Sequence, residues 1–253
     1  MFLDLDQKNR SAIALMDNTG ASLTYGDLLS FVDDLNEKME GRCLLFILSE
    51  NCGASAAGYV AALSGRSVPL MLGKGVDRQL LDTLIDIYHP AYMWMPVQNT
   101  GEFTYPIRYE RYGYALVKTG IEPYPLHPDL SLLLTTSGST GSPKLVRHSY
   151  HNVEANARNV AQVFALNPAE RGMESLPLHF TQGLNVATAH LYAGATVLLT
   201  TDMLSQKEFW QFFKEQRATS FTGVPYSIEI LDRLRFFRMN LPDFKTLNQG
   251  GGR

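Results

Sequence analysis

Cysteine is scarce in this chain, which has two cysteines, Cys43 and Cys52, among 253 residues. Two thiols that lie in and just after an apolar run do not suggest the framework of a disulfide-stapled domain. The first ten residues lack the basic start and the apolar stretch of a secretory signal. No apolar run approaches the ~20 residues that cross a bilayer. The sequence therefore predicts a cytoplasmic protein without a membrane span.

Strong clusters of one charge are also missing. The 22 basic and 25 acidic residues give a net charge of −3, and the basic residues are scattered. Nucleic acid is therefore not an expected partner. The one basic cluster, residues 233–238, alternates arginines with aromatic residues. It is typical of the end of an amphipathic helix, where cations meet the negative end of the helix dipole.

What the chain does contain is a regular alternation of buried-type strands and helical patterns. Apolar residues make up 45% of the chain and charged residues 19%, as in an ordinary globular protein. Continuous apolar runs of five or six residues predict strands covered on both faces. The predicted strands are 43–48, 68–72, 91–95, 195–200 and 219–222; the predicted helices are 22–40, 54–64, 76–88, 152–164, 184–192, 206–216 and 227–237.

This alternation predicts an α/β fold with doubly wound, mostly parallel sheets. The pattern G-x-x-V-x-L occurs at residues 65–70 and again at 194–199, each time after a helical segment. The repeat fits two lobes of related architecture, although coincidence in a chain rich in these residues explains it as well. Between residues 105 and 126 the pattern weakens, and the prolines that follow predict a stiff connector.

Residues 132–146 form the most informative stretch of the sequence. An apolar run leads into nine residues, 136–144, that alternate hydroxyls and glycines and end in Pro143 and Lys144. Glycines allow successive backbone N–H groups to converge on one anion, hydroxyls add donors, and the lysine adds a mobile charge. The stretch therefore predicts a polyphosphate-binding loop.

Two other interpretations of this loop are weaker. It does not match G-x-x-x-x-G-K-[ST], because Pro143 separates the last glycine from the lysine and neither Ser nor Thr follows Lys144. A flexible surface turn would explain the small polar residues. It would not explain the apolar strand in front of them or the Pro-Lys end.

The run T-S-G-S-T-G-S-P-K resembles the phosphate loop of the acyl-adenylate-forming, AMP-binding superfamily, which includes acyl-CoA synthetases, luciferases and peptide-synthetase adenylation domains. The resemblance extends in order from L-T-Y-G-D-L-L near the start to the terminal glycines. It implies an ATP-dependent ligase that joins a carboxylate to AMP and releases pyrophosphate. ATP and Mg²⁺ are the implied cofactors. CoA or the phosphopantetheine of an acyl carrier protein is the implied acceptor.

The resemblance also assigns residues. Phosphate binding falls on Thr136, Ser137, Gly138, Ser139, Thr140, Gly141 and Lys144. The segment P-L-H-F-T-Q-G at 177–183 resembles a motif whose His or aromatic residue lines the acyl pocket, a role that falls on Phe180 first and on His179 second. Adenine and acyl binding fall on Gly250, Gly251 and Gly252. Leu145 departs from the family pattern, which has glycine after the loop lysine.

A metal-binding site formed by the protein is not expected. His148 and His151 lie three residues apart, but no carboxylate or thiol nearby completes a ligand set. A weak likeness of residues 53–57 to a hydrolase nucleophile elbow fails because Ser55 lies inside a predicted helix instead of on the turn before it.

The resemblance implies two lobes. Residues 1–168 are expected to form the first lobe, which ends with the phosphate loop and its following helix. In an alternative arrangement, residues 1–40 pack on the second lobe. Residues 169–253 are expected to form the second lobe, incomplete because the chain stops at Arg253, inside a motif. The expectation is an N-terminal fragment, inactive alone and without catalytic residues, that lacks a C-terminal domain. The alternative function is a non-catalytic binding or scaffold protein with the same fold.

Overall fold

Two mostly parallel β-sheets, with helices packed on and between them, organise the chain in the computed structural model, which describes residues 1–135 and 144–251. The strands are β1 (Ile13–Asp17), β2 (Ser22–Thr24), β3 (Leu44–Ser49), β4 (Val68–Gly73), β5 (Tyr92–Pro96), β6 (Ile107–Arg111), β7 (Tyr114–Lys118), β8 (Leu130–Thr135), β9 (Leu145–Ser149), β10 (Arg171–Glu174), β11 (Thr196–Leu199), β12 (Ser220–Gly223) and β13 (Thr246–Gln249). The helices are α1 (Tyr25–Glu37), α2 (Gly53–Ser64), α3 (Arg78–Tyr88), α4 (Tyr150–Val163), α5 (Thr181–Tyr192), α6 (Lys207–Glu215) and α7 (Pro225–Arg233).

The seven-stranded sheet has the order β6-β7-β5-β3-β4-β8-β9. Its four central strands, β5, β3, β4 and β8, are parallel, whereas β7 and β9 run antiparallel to their neighbours. All six residues of β3 are buried. A strand covered on both faces must be apolar throughout, which is why its sequence reads L-L-F-I-L-S.

The six-stranded sheet has the order β13-β12-β10-β11-β1-β2 and is parallel except for β2. Its strand β1 comes from the start of the chain and pairs with β11, with Leu15 opposite Val197. Residues 13–24 therefore belong to the same sheet as the strands of the C-terminal part.

Helices α2 and α5 meet between the two sheets. The Tyr59 hydroxyl of α2 lies 3.1 Å from the Thr188 hydroxyl of α5, and both side chains are buried. Helix α2 is buried from Gly53 to Leu63 because it packs on both sheets, which explains its alanine-rich sequence without a polar face. One continuous apolar core therefore joins the two sheets.

The predicted fold class, with doubly wound and mostly parallel sheets, is confirmed. One pair of strands was not predicted. The weakly patterned region 105–126 contains the antiparallel hairpin β6–β7. Its first strand is mostly exposed and polar, so it carries no apolar signal, and the turn is made by Tyr112 and Gly113 in left-handed conformations.

The helix predicted at 227–237 is shorter than expected. Helix α7 ends at Arg233, and Arg235 adopts a left-handed conformation with φ 54° before a short 3₁₀ turn at Phe236–Arg238. The arginine–aromatic cluster thus lies on a helix end and the turn after it. None of the described helices has the length and apolar character needed to cross a bilayer.

Candidate functional site

A cleft of about 670 Å³ opens where strands of both sheets end. Its walls are formed by residues that directly follow the carboxyl ends of β3, β4, β10 and β11, together with the last residue of β8, Thr135. In open α/β sheets, ligands bind in crevices outside the carboxyl ends of parallel strands. The fold therefore places this cleft where a ligand site is expected.

Strand β8 brings the predicted phosphate loop to this edge of the seven-stranded sheet. Thr135 lines the cleft and pairs with Leu145 of β9 across the ends of the loop. Lys144 directly precedes β9 and is exposed. The other predicted phosphate-binding residues, Thr136, Ser137, Gly138, Ser139, Thr140 and Gly141, lie outside the described residues, so their role stays a prediction.

His179 lines the same cleft and is half-buried. Its imidazole packs on Gly73 so closely that a Cβ at Gly73 would lie 3.0 Å from His179 Cε1. Burial lowers the pKa of His179, which favours the neutral imidazole. Its Nδ1 atom is buried without a hydrogen-bond partner among the described residues. His179 is thus a neutral ring with an unsatisfied nitrogen at the edge of the cleft.

Phe180 occupies the position just before α5, and its side chain is 52% exposed. Its ring centroid lies 4.4 Å from that of His179. The two rings therefore stand side by side at the start of α5, with His179 turned to the cleft. The predicted order, with Phe180 as the first candidate for the pocket wall, stays a prediction.

Gly250, near the end of the chain, lies against the first turn of α5. The Gly250 amide donates to the carbonyl of Gly223 at 2.9 Å. A Cβ at Gly250 would lie 2.4 Å from Gln182 Nε2, in the first turn of α5. Gly251 is exposed with φ 79°, and Gly252 lies outside the described residues. The structure thus gathers His179, Phe180 and Gly250 around one helix start.

Several cleft residues were not singled out from the sequence. Lys74 forms an ion pair with Glu50, and Asp77 caps α3 by accepting from the Leu80 amide at 3.0 Å. Asn51 also lines the cleft. The available signal was the run of polar residues directly after the apolar strands β3 and β4, because those ends meet at one edge of a parallel sheet.

The predicted absence of a protein metal site concerned His148 and His151. His148 lies half-buried on β9, where burial lowers its pKa, and His151 is exposed on α4. Among the described residues, no group of three histidine, cysteine or acidic side chains is arranged to hold a metal ion.

Comparison with known proteins gives one family. The model of the family described as "AMP-binding enzyme" matches residues 84–252. A probable CoA ligase from Humulus lupulus is 35% identical over 106 residues, which are 38% of this chain and 17% of that protein. A sulfoacetate–CoA ligase from Cupriavidus necator is 38% identical over 109 residues, 42% of this chain and 21% of the relative.

Solved structures agree on the fold. The apo form of MatB from Rhodopseudomonas palustris superposes with a TM-score of 0.80 at 17% identity, over all of this chain and 56% of the other. An O-succinylbenzoate coenzyme A synthetase from Bacillus subtilis in complex with AMP gives 0.76 at 18% identity, over all of this chain and 68% of the other. The matched segment thus spans about a fifth of the two curated relatives and the chain half to two thirds of these solved chains.

Proposed function

Since the chain belongs to the family of AMP-binding enzymes, we propose that it forms the ATP- and carboxylate-binding part of an AMP-forming ligase. In the proposed reaction a carboxylate oxygen attacks the α-phosphorus of ATP. The bond to pyrophosphate breaks, and acyl-AMP forms. A thiol, from CoA or from the phosphopantetheine of a carrier protein, then attacks the acyl carbon and AMP leaves.

The observation that carries this proposal is the convergence of the two predicted motifs on one cleft. Thr135, directly before the hydroxyl–glycine loop, and His179, in the second motif, line the same cleft although they come from different sheets. A substrate lying there would contact both motifs at once. This arrangement suits a reaction that joins a nucleotide phosphate to a second molecule.

The proposed roles follow from the chemistry of the side chains. Lys144 is exposed at the end of the loop, where its ammonium group can neutralise phosphate oxygens. Charge that develops on the leaving pyrophosphate is stabilised most by donors that are already in place. His179 and Phe180 form a wall of neutral rings beside the carboxylate, and the backbone at the half-buried Gly250 and the exposed Gly251 has no side chain to keep a flat ring away.

Magnesium fits this site as an ion that arrives with the nucleotide. Mg²⁺ is usually held by one or two carboxylates together with substrate phosphates and water, and not by a complete protein cage. The cleft offers Glu50 and Asp77, of which Glu50 already pairs with Lys74. When bound, the ion would share the charge of the phosphates and so favour the departure of pyrophosphate.

The test of this proposal is nucleotide binding by the chain itself, measured calorimetrically with ATP and Mg²⁺. We expect Lys144→Ala to weaken binding about ten- to hundredfold, since a hydrogen bond to a charged group contributes about 1.5–3 kcal/mol. Lys214→Ala, which removes an exposed lysine from α6, is the matched control and should bind as the unmodified chain does. Equal affinity in all three proteins would contradict the role of Lys144.

Activation is tested by exchange of labelled pyrophosphate into ATP with a panel of carboxylates, using this chain and any longer form of the protein. Exchange in a longer form, lost in its Lys144→Ala variant, supports the ligase. Nucleotide binding without exchange in any form, for every carboxylate, would favour a non-catalytic binding or scaffold protein of the same fold.

A further inference from the structure

The loop between β10 and α5 has its backbone polar groups held by two side chains. The Leu176 amide donates to Glu174 Oε1 at 2.6 Å. The Leu176 carbonyl accepts from Asn51 Nδ2 at 3.0 Å, and the Leu178 amide donates to Asn51 Oδ1 at 3.1 Å. Pro177 between them has no amide hydrogen. Backbone groups that are shielded from water need a hydrogen-bond partner, and here one carboxamide serves the residues on both sides of the proline.

Asn51 reaches this loop from the other sheet. It lies in the turn between β3 and α2 and is only 6% exposed. A carboxamide can donate and accept at once, which a carboxylate or an ammonium group cannot do. The residue type is therefore matched to the pair of groups that it holds.

Two close contacts leave little space around the loop. A Cβ at Gly183 of α5 would lie 2.6 Å from the carbonyl oxygens of both Leu176 and Pro177. On the opposite side, His179 packs on Gly73 of β4. The loop therefore fits between a helix and a strand only where both lack a side chain. The hydrogen bonds of Asn51 hold the loop in that position.

We propose that Asn51 is a positioning residue whose carboxamide fixes residues 176–178 and thereby sets where His179 and Phe180 stand at the cleft. The functional meaning of this assignment rests on the proposed ligase, in which these rings border the carboxylate. Asn51 also lines the cleft, but both polar atoms of its carboxamide are engaged by the loop. It acts through the loop, across the boundary between the two sheets.

A purely structural link between the two sheets would be a different role for Asn51. Other contacts already serve that purpose: Asp17 of β1 accepts from the Gly53 amide of α2 at 2.9 Å, and Tyr59 meets Thr188. Loss of such a link would lower the stability of the whole chain. Loss of a positioning residue would change the surroundings of His179 in chains that are still folded.

The experiment is an NMR titration of His179 in the 253-residue chain. In Asn51→Ala the loop is expected to lose its packed position between α5 and β4. The pKa of His179 should then rise toward its ordinary value of about 6.5 as the ring is hydrated. The charged groups that share the cleft, Glu50, Lys74 and Asp77, are unchanged in this variant. The shift would therefore report exposure of the ring.

Asn36→Ala is the matched control. Asn36 also donates from a half-buried carboxamide to two carbonyls, those of Val32 and Ala61, but it joins α1 to α2 and does not touch the loop. We expect it to destabilise the chain without moving the His179 titration. If both variants move His179 equally, or neither moves it, the proposal is overturned.

Asn51→Asp keeps the shape of the side chain and covers the case in which the alanine variant does not fold. It retains the acceptor for Leu178 and places a carboxylate oxygen against the Leu176 carbonyl. Amide resonances of residues 176 and 178–180 should shift far more than those around α1. Unchanged resonances would contradict the positioning role of Asn51.

A second titration uses benzoate as the probe carboxylate. We expect it to perturb the His179 resonances of the unmodified chain and to bind Asn51→Ala at least about tenfold more weakly, a difference of about 1.4 kcal/mol. Equal affinity would overturn the functional part of the proposal. If the unmodified chain binds neither benzoate nor ATP, the proposed ligase fails instead, while the pKa comparison still decides the position of His179.

Discussion

At each sheet a glycine, on a packed helix in one case and on a strand in the other, lets a large ring lie directly against the backbone, but the rings differ in kind. In the seven-stranded sheet Gly58 of α2 faces Trp94 of β5, whose indole nitrogen donates to the Ala54 carbonyl at 2.9 Å. In the six-stranded sheet Gly172 of β10 faces His190 of α5. Each glycine position would place a Cβ less than 2.5 Å from a ring atom. The first ring, an indole, carries no group that titrates in the ordinary pH range, whereas the second is an imidazole, whose pKa is lowered by burial.

This difference extends to the neighbouring residues. His190 is buried, donates from Nδ1 to the Val186 carbonyl at 2.8 Å and lies 3.2 Å from the Ser220 hydroxyl. Burial lowers its pKa. Glu174, fully buried on the same strand as Gly172, has one oxygen without a partner among the described residues, and burial raises its pKa well above the ordinary value. The stability of the packing around Trp94 is therefore not expected to depend on pH, whereas the stability around His190 and Glu174 is.

The largest effect is expected from Gly58→Ala. The added methyl group would lie 2.4 Å from Trp94 Cδ1, so the fully buried indole must move and lose its hydrogen bond. Overpacking and the lost hydrogen bond together should lower the free energy of unfolding by about 3 kcal/mol. Urea denaturation at pH 6 and pH 8 should give the same loss at both values. A loss that depends on pH would break the comparison.

Gly172→Ala should lower the free energy of unfolding by about 2 kcal/mol, because overpacking again acts on a buried ring. The methyl group would lie 2.3 Å from His190 Nε2. Displacement of the ring toward water should raise its pKa, so the variant should lose less stability at low pH than at neutral pH. Urea denaturation between pH 5 and pH 8, with His190 followed by NMR, measures both. A pH-independent loss would contradict the assignment of His190.

Glu174→Gln tests whether the buried carboxyl group of the six-stranded sheet makes the stability of the chain depend on pH. In the unfolded chain this carboxyl group ionises near pH 4.3, approximately the ordinary value, whereas in the folded chain it stays protonated to higher pH. Above the unfolded pKa the folded state therefore loses stability as pH rises, by at most about 1.4 kcal/mol per pH unit.

The glutamine variant cannot ionise, so its advantage over the unmodified chain should be absent at pH 4 and grow toward pH 7. Thermal unfolding at four pH values measures this. A constant difference across the series would show that the carboxyl group is not held neutral.

The smallest effect is expected from Asp17→Asn, which tests the connection between the sheets. Asp17 accepts from the Gly53 amide at 2.9 Å and from the Thr19 hydroxyl at 2.6 Å. An amide of the same shape leaves one donor facing another, at a cost of about 1 kcal/mol. Combined with Gly58→Ala or Gly172→Ala, it should add to either loss within roughly 0.5 kcal/mol, since the sites share no partner. Larger coupling would show that the sheets do not respond separately.

Much of the fold could be predicted from the sequence because its central strands are covered on both faces. The run at β3 admits little other than apolar residues, and Gly65 and Gly194 end the helices that precede β4 and β11. The hairpin β6–β7 could not be predicted in this way. Its exposed strand contributes little to the core, so no apolar pattern identifies it.

The site could be predicted only where a motif is local. The loop ending at Lys144 and the pair His179–Phe180 are short runs whose chemistry is visible in the sequence. Asn51 stands in the polar run after β3, but that run does not reveal its role, because its partners, Leu176 and Leu178, lie more than a hundred residues away on the chain. The same holds for the ion pair of Lys74 with Glu50, which depends on β3 and β4 being neighbours.

The pairing of β1 with β11 has a consequence for synthesis on the ribosome. The seven-stranded sheet can be completed once Ser149 has emerged, because its strands lie between Leu44 and Ser149. Strand β1 is made first, but its parallel neighbour, with Val197 opposite Leu15, appears about 180 residues later, roughly 10–40 s at usual translation rates. During that interval β1 has β2 as its native partner, but its other edge, which pairs with β11 in the folded chain, stays open. One edge of β1 is therefore among the last strand edges to be paired, and an open strand edge is a template for non-native pairing until β11 has been made.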